Sequence, residues 1–403
     1  MNKQVKLAVA GALVALSSTA ANAGIMIPAG DWTLDIGGIV NAYYTTTKSS
    51  GDAVGLGGAL ENGYSRENNI TTGLLPNYLS VSGKTRQNDL DVGFTISINP
   101  GASTTQAGEQ TAPNNQENRQ AFLTFGDKSW GSIKVGKDLG IFASDAILND
   151  MTLLGVGSGA GLLAGNTTTL GRIGTGFIYA DWKSQIAYSS PNWNGFSFTA
   201  GITQAFDGIS TFGGAAATGR EGSMPAFEAK ASYEWAGDVG GKVWVSGITQ
   251  KLELAAGGSE RANAFDLGAT VNVAGFGLTG YVYDGKGIGT TVQFAGAIDP
   301  TGNRRDSKGG YVQGTYTLPG VGTKLGVSWG KSELEGNSTA AETGGLDNIE
   351  NRMWTIGAYH PLTKHLNLVA EYSDVKSEFD SNVAGGDLDG KSRTVSLGAI
   401  LFF

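Results

Sequence analysis

The chain of 403 residues has no cysteine and only two histidines. Without cysteine there is no disulfide staple and no thiolate for nucleophilic or metal chemistry. His360 and His365 flank Pro361 in a stretch that reads as a turn. A barrel-borne lipase or protease would want a histidine base beside a nucleophile or an activated water; these two read as turn residues, and no catalytic residue is assigned. Proline is scarce as well, nine residues against 64 glycines without a Gly-X-Y period, which excludes a collagen-like chain. Beyond the N-terminus no run approaches the ~20 apolar residues that a membrane helix needs, and mean hydropathy is slightly negative at −0.09. Metal-ligand spacings, phosphate-cradling loops and nucleic-acid signatures are missing, so no cofactor, metal or nucleic-acid partner is expected.

The N-terminus sets the compartment. Lys3 and Lys6 form a positive segment, residues 7–16 (LAVAGALVAL) are apolar but too short to span a bilayer, and Ala21-Asn22-Ala23 fits an A-x-A cleavage site. Residues 1–23 are therefore expected to be a signal peptide, with cleavage between Ala23 and Gly24 and a barrel domain over 24–403. An exported chain without membrane helices is either a secreted soluble β-protein or a closed membrane barrel, because lipid admits only helices and edge-free sheets.

The alternation of side chains favours the barrel. In the last eleven residues, RTVSLGAILFF, Val395, Leu397, Ala399, Leu401 and Phe403 share one face while Thr394, Ser396 and Gly398 lie between them. Leu90, Val92, Phe94, Ile96 and Ile98 alternate in the same way with Asp91, Gly93, Thr95 and Ser97. Sixteen such segments are read, near 32–48, 77–86, 90–99, 119–126, 131–137, 178–189, 195–204, 226–235, 242–254, 263–273, 277–284, 310–318, 323–334, 352–359, 365–376 and 393–403.

Tight polar turns such as Gln87-Asn88-Asp89 join the members of a pair, and long Gly/Asn/Ser/Thr-rich loops separate the pairs. Short turns on one rim, long loops on the other and spans of about 9–11 residues are the asymmetry of outer-membrane barrels. A long secreted sandwich or β-helix is the competing reading, but one face of the strands is uniformly apolar and no fixed repeat of 20–50 residues recurs. Aromatics gather near strand ends (Trp32, Tyr44, Trp193, Trp329, Trp354 and Phe403 among them), as in the two girdles of a membrane barrel. The expected fold is all-β: a 16-stranded antiparallel transmembrane barrel, wide enough inside for water.

Several motifs make the pattern more specific. Residues 118–122 (NRQAF) lead to 131–137 (GSIKVGK), residues 186–191 (IAYSSP) are followed by 195–198 (GFSF), and Gly357-Ala358-Tyr359 leads through Leu362-Thr363-Lys364 to Glu371-Tyr372. With a final Phe403, the chain resembles the general, trimeric, 16-stranded porins of Gram-negative bacteria, in particular the branch of Neisseria- and Burkholderia-like organisms. The resemblance extends over nearly all of the mature chain. It departs at Asp181 and Ala187, where the family commonly carries basic residues, so part of a basic wall is missing.

The resemblance implies a water-filled channel for passive diffusion of ions and small hydrophilic solutes, a homotrimer in outer-membrane lipid, closure of the barrel at Phe403, and a constriction loop folded inward over 138–176. On that loop Asp138, Asp145 and Asp150 would supply negative charge. Parity supplies an opposing wall: with Leu79 and Val81 toward lipid, Lys84 and Arg86 face the lumen, and with Ile133 and Val135 toward lipid, Lys134 faces inward. A Lys or Arg in mid-membrane lipid would cost about 2–4 kcal/mol. Lys137 and Arg172, at the edges of the loop, complete the candidate basic wall. Loss of Lys3 and Lys6 takes the 28 basic residues to 26 against 36 acidic, so the mouths would attract cations, although screening over ~8 Å leaves the constriction in control. A substrate-specific porin and a non-conducting structural or adhesive barrel are the alternatives.

Overall fold

Each alternating segment becomes a strand whose greasy side chains share one face, and in lipid such a sheet must close so that no backbone edge is left unpaired. The computed structural model describes residues 24–52, 65–103, 116–159, 167–209, 218–220, 224–337, 346–381 and 386–403. The expected signal peptide, including Ala23, lies outside the described residues.

The closed antiparallel wall has sixteen strands. They are β2 (Trp32–Gly51), β4 (Tyr78–Gln87), β5 (Leu90–Pro100), β7 (Ala121–Asp127), β8 (Gly131–Leu139), β9 (Trp182–Ser189), β10 (Phe196–Thr203), β12 (Ala226–Trp235), β13 (Val239–Leu254), β14 (Ser259–Val273), β15 (Phe276–Lys286), β16 (Asp306–Thr317), β17 (Lys324–Glu335), β18 (Leu346–Pro361), β19 (Leu366–Ser381) and β20 (Leu388–Phe402). Four short strands, β1 (Ile25–Ala29), β3 (Arg66–Thr71), β6 (Gln116–Glu117) and β11 (Thr218–Arg220), extend its edges. Among the described residues no helix is long and apolar enough to cross a membrane; the strands cross it.

Closure is staggered. β20 pairs with β2 from Ile39↔Phe402 to Gly51↔Gly390, whereas β4 pairs with the other edge of β2 only over its first half, Thr33↔Lys84 to Ile39↔Tyr78. β1 and β3 fill the two half-edges left over. At the seam the amide of Gly38 donates to the Phe403 carbonyl at 2.7 Å and that of Phe403 donates back at 3.0 Å. A side chain at Gly38 would overlap both the Tyr78 carbonyl and the Phe403 ring, so glycine is required there.

The wall is two-faced. Along β20, Val395, Leu397 and Leu401 are exposed outward, while Ser392, Thr394 and Ser396 are buried inward. The tight turns need positive φ, which Asn88 (50°) and Asp89 (62°) adopt between β4 and β5, matching the right-handed twist of the hairpin. Several boundaries differ from the sequence reading. β9 starts at Trp182 rather than 178, because Asp181 has φ 59° and the Tyr179 amide donates to the Thr291 carbonyl at 2.8 Å, inside the barrel. β18 and β20 begin earlier than expected, since their polar ends continue to pair beyond the apolar band.

Candidate pore lining and interior loop

The connection from β8 to β9 returns into the barrel. It carries α1 (Ser144–Asn149) and a 3-10 turn (Met151–Leu154), and its polar backbone bonds to inward side chains of the wall. Glu228 on β12 accepts the amides of Ile141 and Phe142, both at 2.8 Å. Gln313 on β16 accepts the Met151 amide at 2.8 Å, and the Tyr311 hydroxyl donates to the Ala146 carbonyl at 2.8 Å. Further round, Glu371 on β19 accepts the amides of Val156 (2.7 Å) and Gly157 (2.9 Å) and the hydroxyl of Tyr359 (2.5 Å). A side chain at Gly155 would overlap the Glu371 carboxylate, which gives one loop glycine a specific task. Carboxylates on well-separated strands thus hold the two halves of the loop.

A second segment, 287–305 between β15 and β16, also folds inward. Ile288, Phe294 and Ile298 are buried against Phe142, Phe177 and Trp244. Lys183 on β9 is fully buried and bonds Glu228 and Gln293, each at 2.7 Å. Part of the barrel interior is therefore dry protein. The sequence reading anticipated only the first loop. Its missed signal was the local cluster of Ile288, Val292, Phe294 and Ile298, side chains that a connection bathed in water would leave exposed.

The sequence-expected acids do not line open water. Asp138 lies on β8 itself, 3% exposed, paired with Lys134 and bonded by Gln120 at 3.0 Å. Asp145, on α1, is held by Lys242 (2.6 Å) and Lys230 (3.2 Å). Asp150 is fully buried beside Arg172, with Nε 3.7 Å away, and accepts from the Thr152 amide at 3.1 Å. Burial alone would raise both loop acids. At Asp145 the two lysines overcome it and hold the carboxyl below its ordinary value, whereas at Asp150 burial outweighs Arg172 and the carboxyl is pushed up.

The candidate bases separate. Lys84 and Lys134 face inward and share one row of the sheet (Lys84, Gly93, Thr124, Lys134), which continues through Ala187 and Gly201 to Glu228. Arg86 also faces inward, but at the tight-turn rim, tied to Asp91 (2.9 Å) and Asp127 (3.0 Å). Lys137 falls on the outward parity with Val135, its Nζ bonded to the Asn118 carbonyl at 3.0 Å. Arg172 is no wall residue: it is a fully buried rivet bonded to Ser328, the Met353 carbonyl (3.1 Å) and the Thr175 carbonyl (3.3 Å). The residues that sequence reasoning missed are Glu228, Lys230, Lys242 and Glu371. Each is a charged residue that alternates with outward apolar or small neighbours on its strand, a parity that was open to reading.

A profile of the Gram-negative porin family matches residues 8–380. The chain is a Gram-negative porin. Among solved structures, the porin is similar to the outer-membrane channel DcaP of Acinetobacter baumannii (15% identity, TM-score 0.69, covering 93% of this chain and 99% of that one). It is also similar to an anion-selective porin from Comamonas acidovorans (16%, 0.61, 92% and 100%) and to Salmonella typhi OmpF in complex with daunomycin (15%, 0.57, 93% and 100%). At these identities the likeness shows the fold. No curated protein matches the sequence. Family and fold place the porin in the outer membrane as a channel and point away from an enzyme. His360, read as a turn residue, is instead the penultimate residue of β18, its Nδ1 2.8 Å from the Thr323 hydroxyl.

Asp145 gives the porin a pH dependence. Its carboxyl is depressed in the folded state, so the stability it contributes is present at neutral pH and lost as pH falls through that depressed value, below about pH 4. Lys230 then loses its anion, and Lys242 keeps only Glu234, 3.2 Å away. Acidification is expected to loosen the loop and move the reversal potential toward anions; Asp145→Asn should show the same selectivity at neutral pH. Salt-gradient recordings at both pH values check this, and a variant matching wild type at neutral pH would contradict it.

Proposed function

We propose that the porin is a general diffusion pore whose narrow aqueous stretch runs between the interior loop and the inner wall, with a mild preference for anions. The observation that carries this reading is the distribution of inward charge. Around the interior loop Lys134, Lys230 and Lys242 are matched by Asp138, Asp145 and Glu234, the inward Asp266 is fully buried under the Ser246 and Tyr281 hydroxyls, and Lys84, on the same inward face as Asp35 of the neighbouring strand, makes no ion pair with a described residue. The acids expected to repel anions are spent on local pairs, so the acidic excess of the whole chain does not reach the constriction. Rings of fixed charge in a narrow gap select ions, and width sets the size limit. The anion selectivity of the Comamonas relative is consistent with such a lining.

The same reading includes a homotrimer of mature chains starting at Gly24, sealed at Phe403, resembling the Neisseria and Burkholderia branch. Neighbours that form trimers, such as OmpT of Vibrio cholerae, support the assembly. Reversal potentials in a salt gradient test the charge assignment. Wild type should favour chloride over potassium, and Lys84→Glu with Lys230→Gln should reverse that preference severalfold. Arg86→Glu, at the neutralised rim, should change it little. Cation preference in the wild type would overturn the lining proposed here.

A further inference from the structure

We propose that Lys324 determines the selectivity of the short-turn mouth, drawing in anions there so that the channel's preference depends on the direction of the salt gradient. Only a conducting lumen is taken from the reading above; the sign of the constriction is not. Lys324 opens β17, opposite Thr317 on β16 and Tyr359 on β18. It alternates with the outward, exposed Leu325 and Val327 and shares its face with Gly326 and Ser328. A side chain at Gly326 would meet the sulfur of Met151 on the interior loop, and Ser328 bonds Arg172. Lys324 is therefore inward, two residues nearer the short-turn rim than the point where the loop touches the wall. Its Nζ stands 5.1 Å from the centre of the Tyr359 ring, and it makes no ion pair with a described residue. An aromatic face steadies an ammonium without neutralising it.

The other inward cations near this rim have acids beside them. Arg86 is tied to Asp91 and Asp127. Thr33 faces Lys84 while Asp35 faces Ser82, so Asp35 and Lys84 are diagonal neighbours on one face. Lys242 lies between Asp145 and Glu234. From there to Lys324 the inward positions near the rim carry hydroxyls and an amide: Thr270, Asn272, Thr279 and Thr315. The acids behind Lys324 are buried and occupied. Asp150 lies beside Arg172, and Glu371 accepts two loop amides and the Tyr359 hydroxyl. Lys324 thus gives its side of the mouth an unmatched positive charge.

Such a charge acts over the Debye length, about 10 Å at 0.1 M salt and about 3 Å at 1 M. With dilute solution on the short-turn side, the field of Lys324 reaches across its mouth and admits anions. With concentrated solution there, the field is confined to the wall. One and the same pore should then favour anions more strongly in the first arrangement than in the second.

Single channels of the full-length barrel, perfused with about 0.1 M and about 1 M KCl in one direction and then the other, test this. In wild type the anion-to-cation permeability ratio should differ roughly twofold between the two directions. Lys324→Gln should remove most of that difference, and Lys324→Arg should keep it. Lys331→Gln, outward on the same strand, should behave as wild type. Because the chain has no cysteine, Lys324→Cys offers a single thiol. A cationic methanethiosulfonate added to both chambers should restore the difference, and an anionic one should invert it; stepwise currents before the reagent show that the variant has folded. A wild-type difference in Lys324→Gln, or the same outcome with both reagents, would overturn the assignment. The lining proposed above fails on a separate result, cation preference of the wild type in both directions.

Discussion

Glu228→Ala is expected to give a barrel that still inserts into bilayers but conducts with larger, noisier steps. The carboxylate accepts two loop amides, the Thr203 hydroxyl at 2.8 Å and the buried Lys183 ammonium. Its removal strands two amide donors and leaves a charged amine buried with Gln293 alone. Breaking one partner of a buried ion pair costs about 3–5 kcal/mol. The wall is held by its own ladder of strand bonds, so the loss falls on the loop. Glu371→Ala should act on the other half of the loop with a smaller effect, since it strands amides and a tyrosine hydroxyl but no cation. Planar-bilayer conductance distributions check both; wild-type currents from Glu228→Ala would show that the loop is held by its apolar contacts alone.

Arg172→Met should lower the temperature at which the folded barrel converts to the unfolded form on an unheated-versus-heated gel. The guanidinium bridges Asp150 on the loop to Ser328 on β17 and the Met353 carbonyl on β18, and lies 5.9 Å from the Tyr311 ring. Methionine fills part of that volume but leaves Asp150 as a buried, unpaired carboxyl, at a cost of about 3–5 kcal/mol. Arg172→Met combined with Asp150→Asn removes both charges and should recover much of the loss, because replacing a buried pair entirely is often near neutral. If the double variant melts as low as the single one, the ion pair is not the reason for the burial of Arg172.

These two predictions mark where sequence reading succeeds and stops. The strands of the wall were legible because a period of two is a local property: Leu90 to Ile98 alternate whatever the rest of the chain does, and the same parity pointed Lys84 and Lys134 inward. Asp138 shows the limit of counting residues along a loop. It was grouped with Asp145 and Asp150, yet it sits on β8, four residues from Lys134 and on the same face. Arg172 and Asp150 have no periodicity at all. Their pairing depends on how a connection of some forty residues turns back across the barrel, and no local pattern encodes it.

By itself the sequence determined the closed wall, its greasy outside and its short and long rims, because those follow from nearest-neighbour alternation and the refusal of lipid to solvate an open edge. Only the tertiary structure decided which charges meet water. Burial and pairing are set by residues distant in sequence: Lys242 reaches Asp145, Glu371 reaches Gly157, and Lys48 stands between Arg66 and Arg393. A charge neutralised across such a distance contributes little field to the pore, and strand parity alone carries no information about its partner.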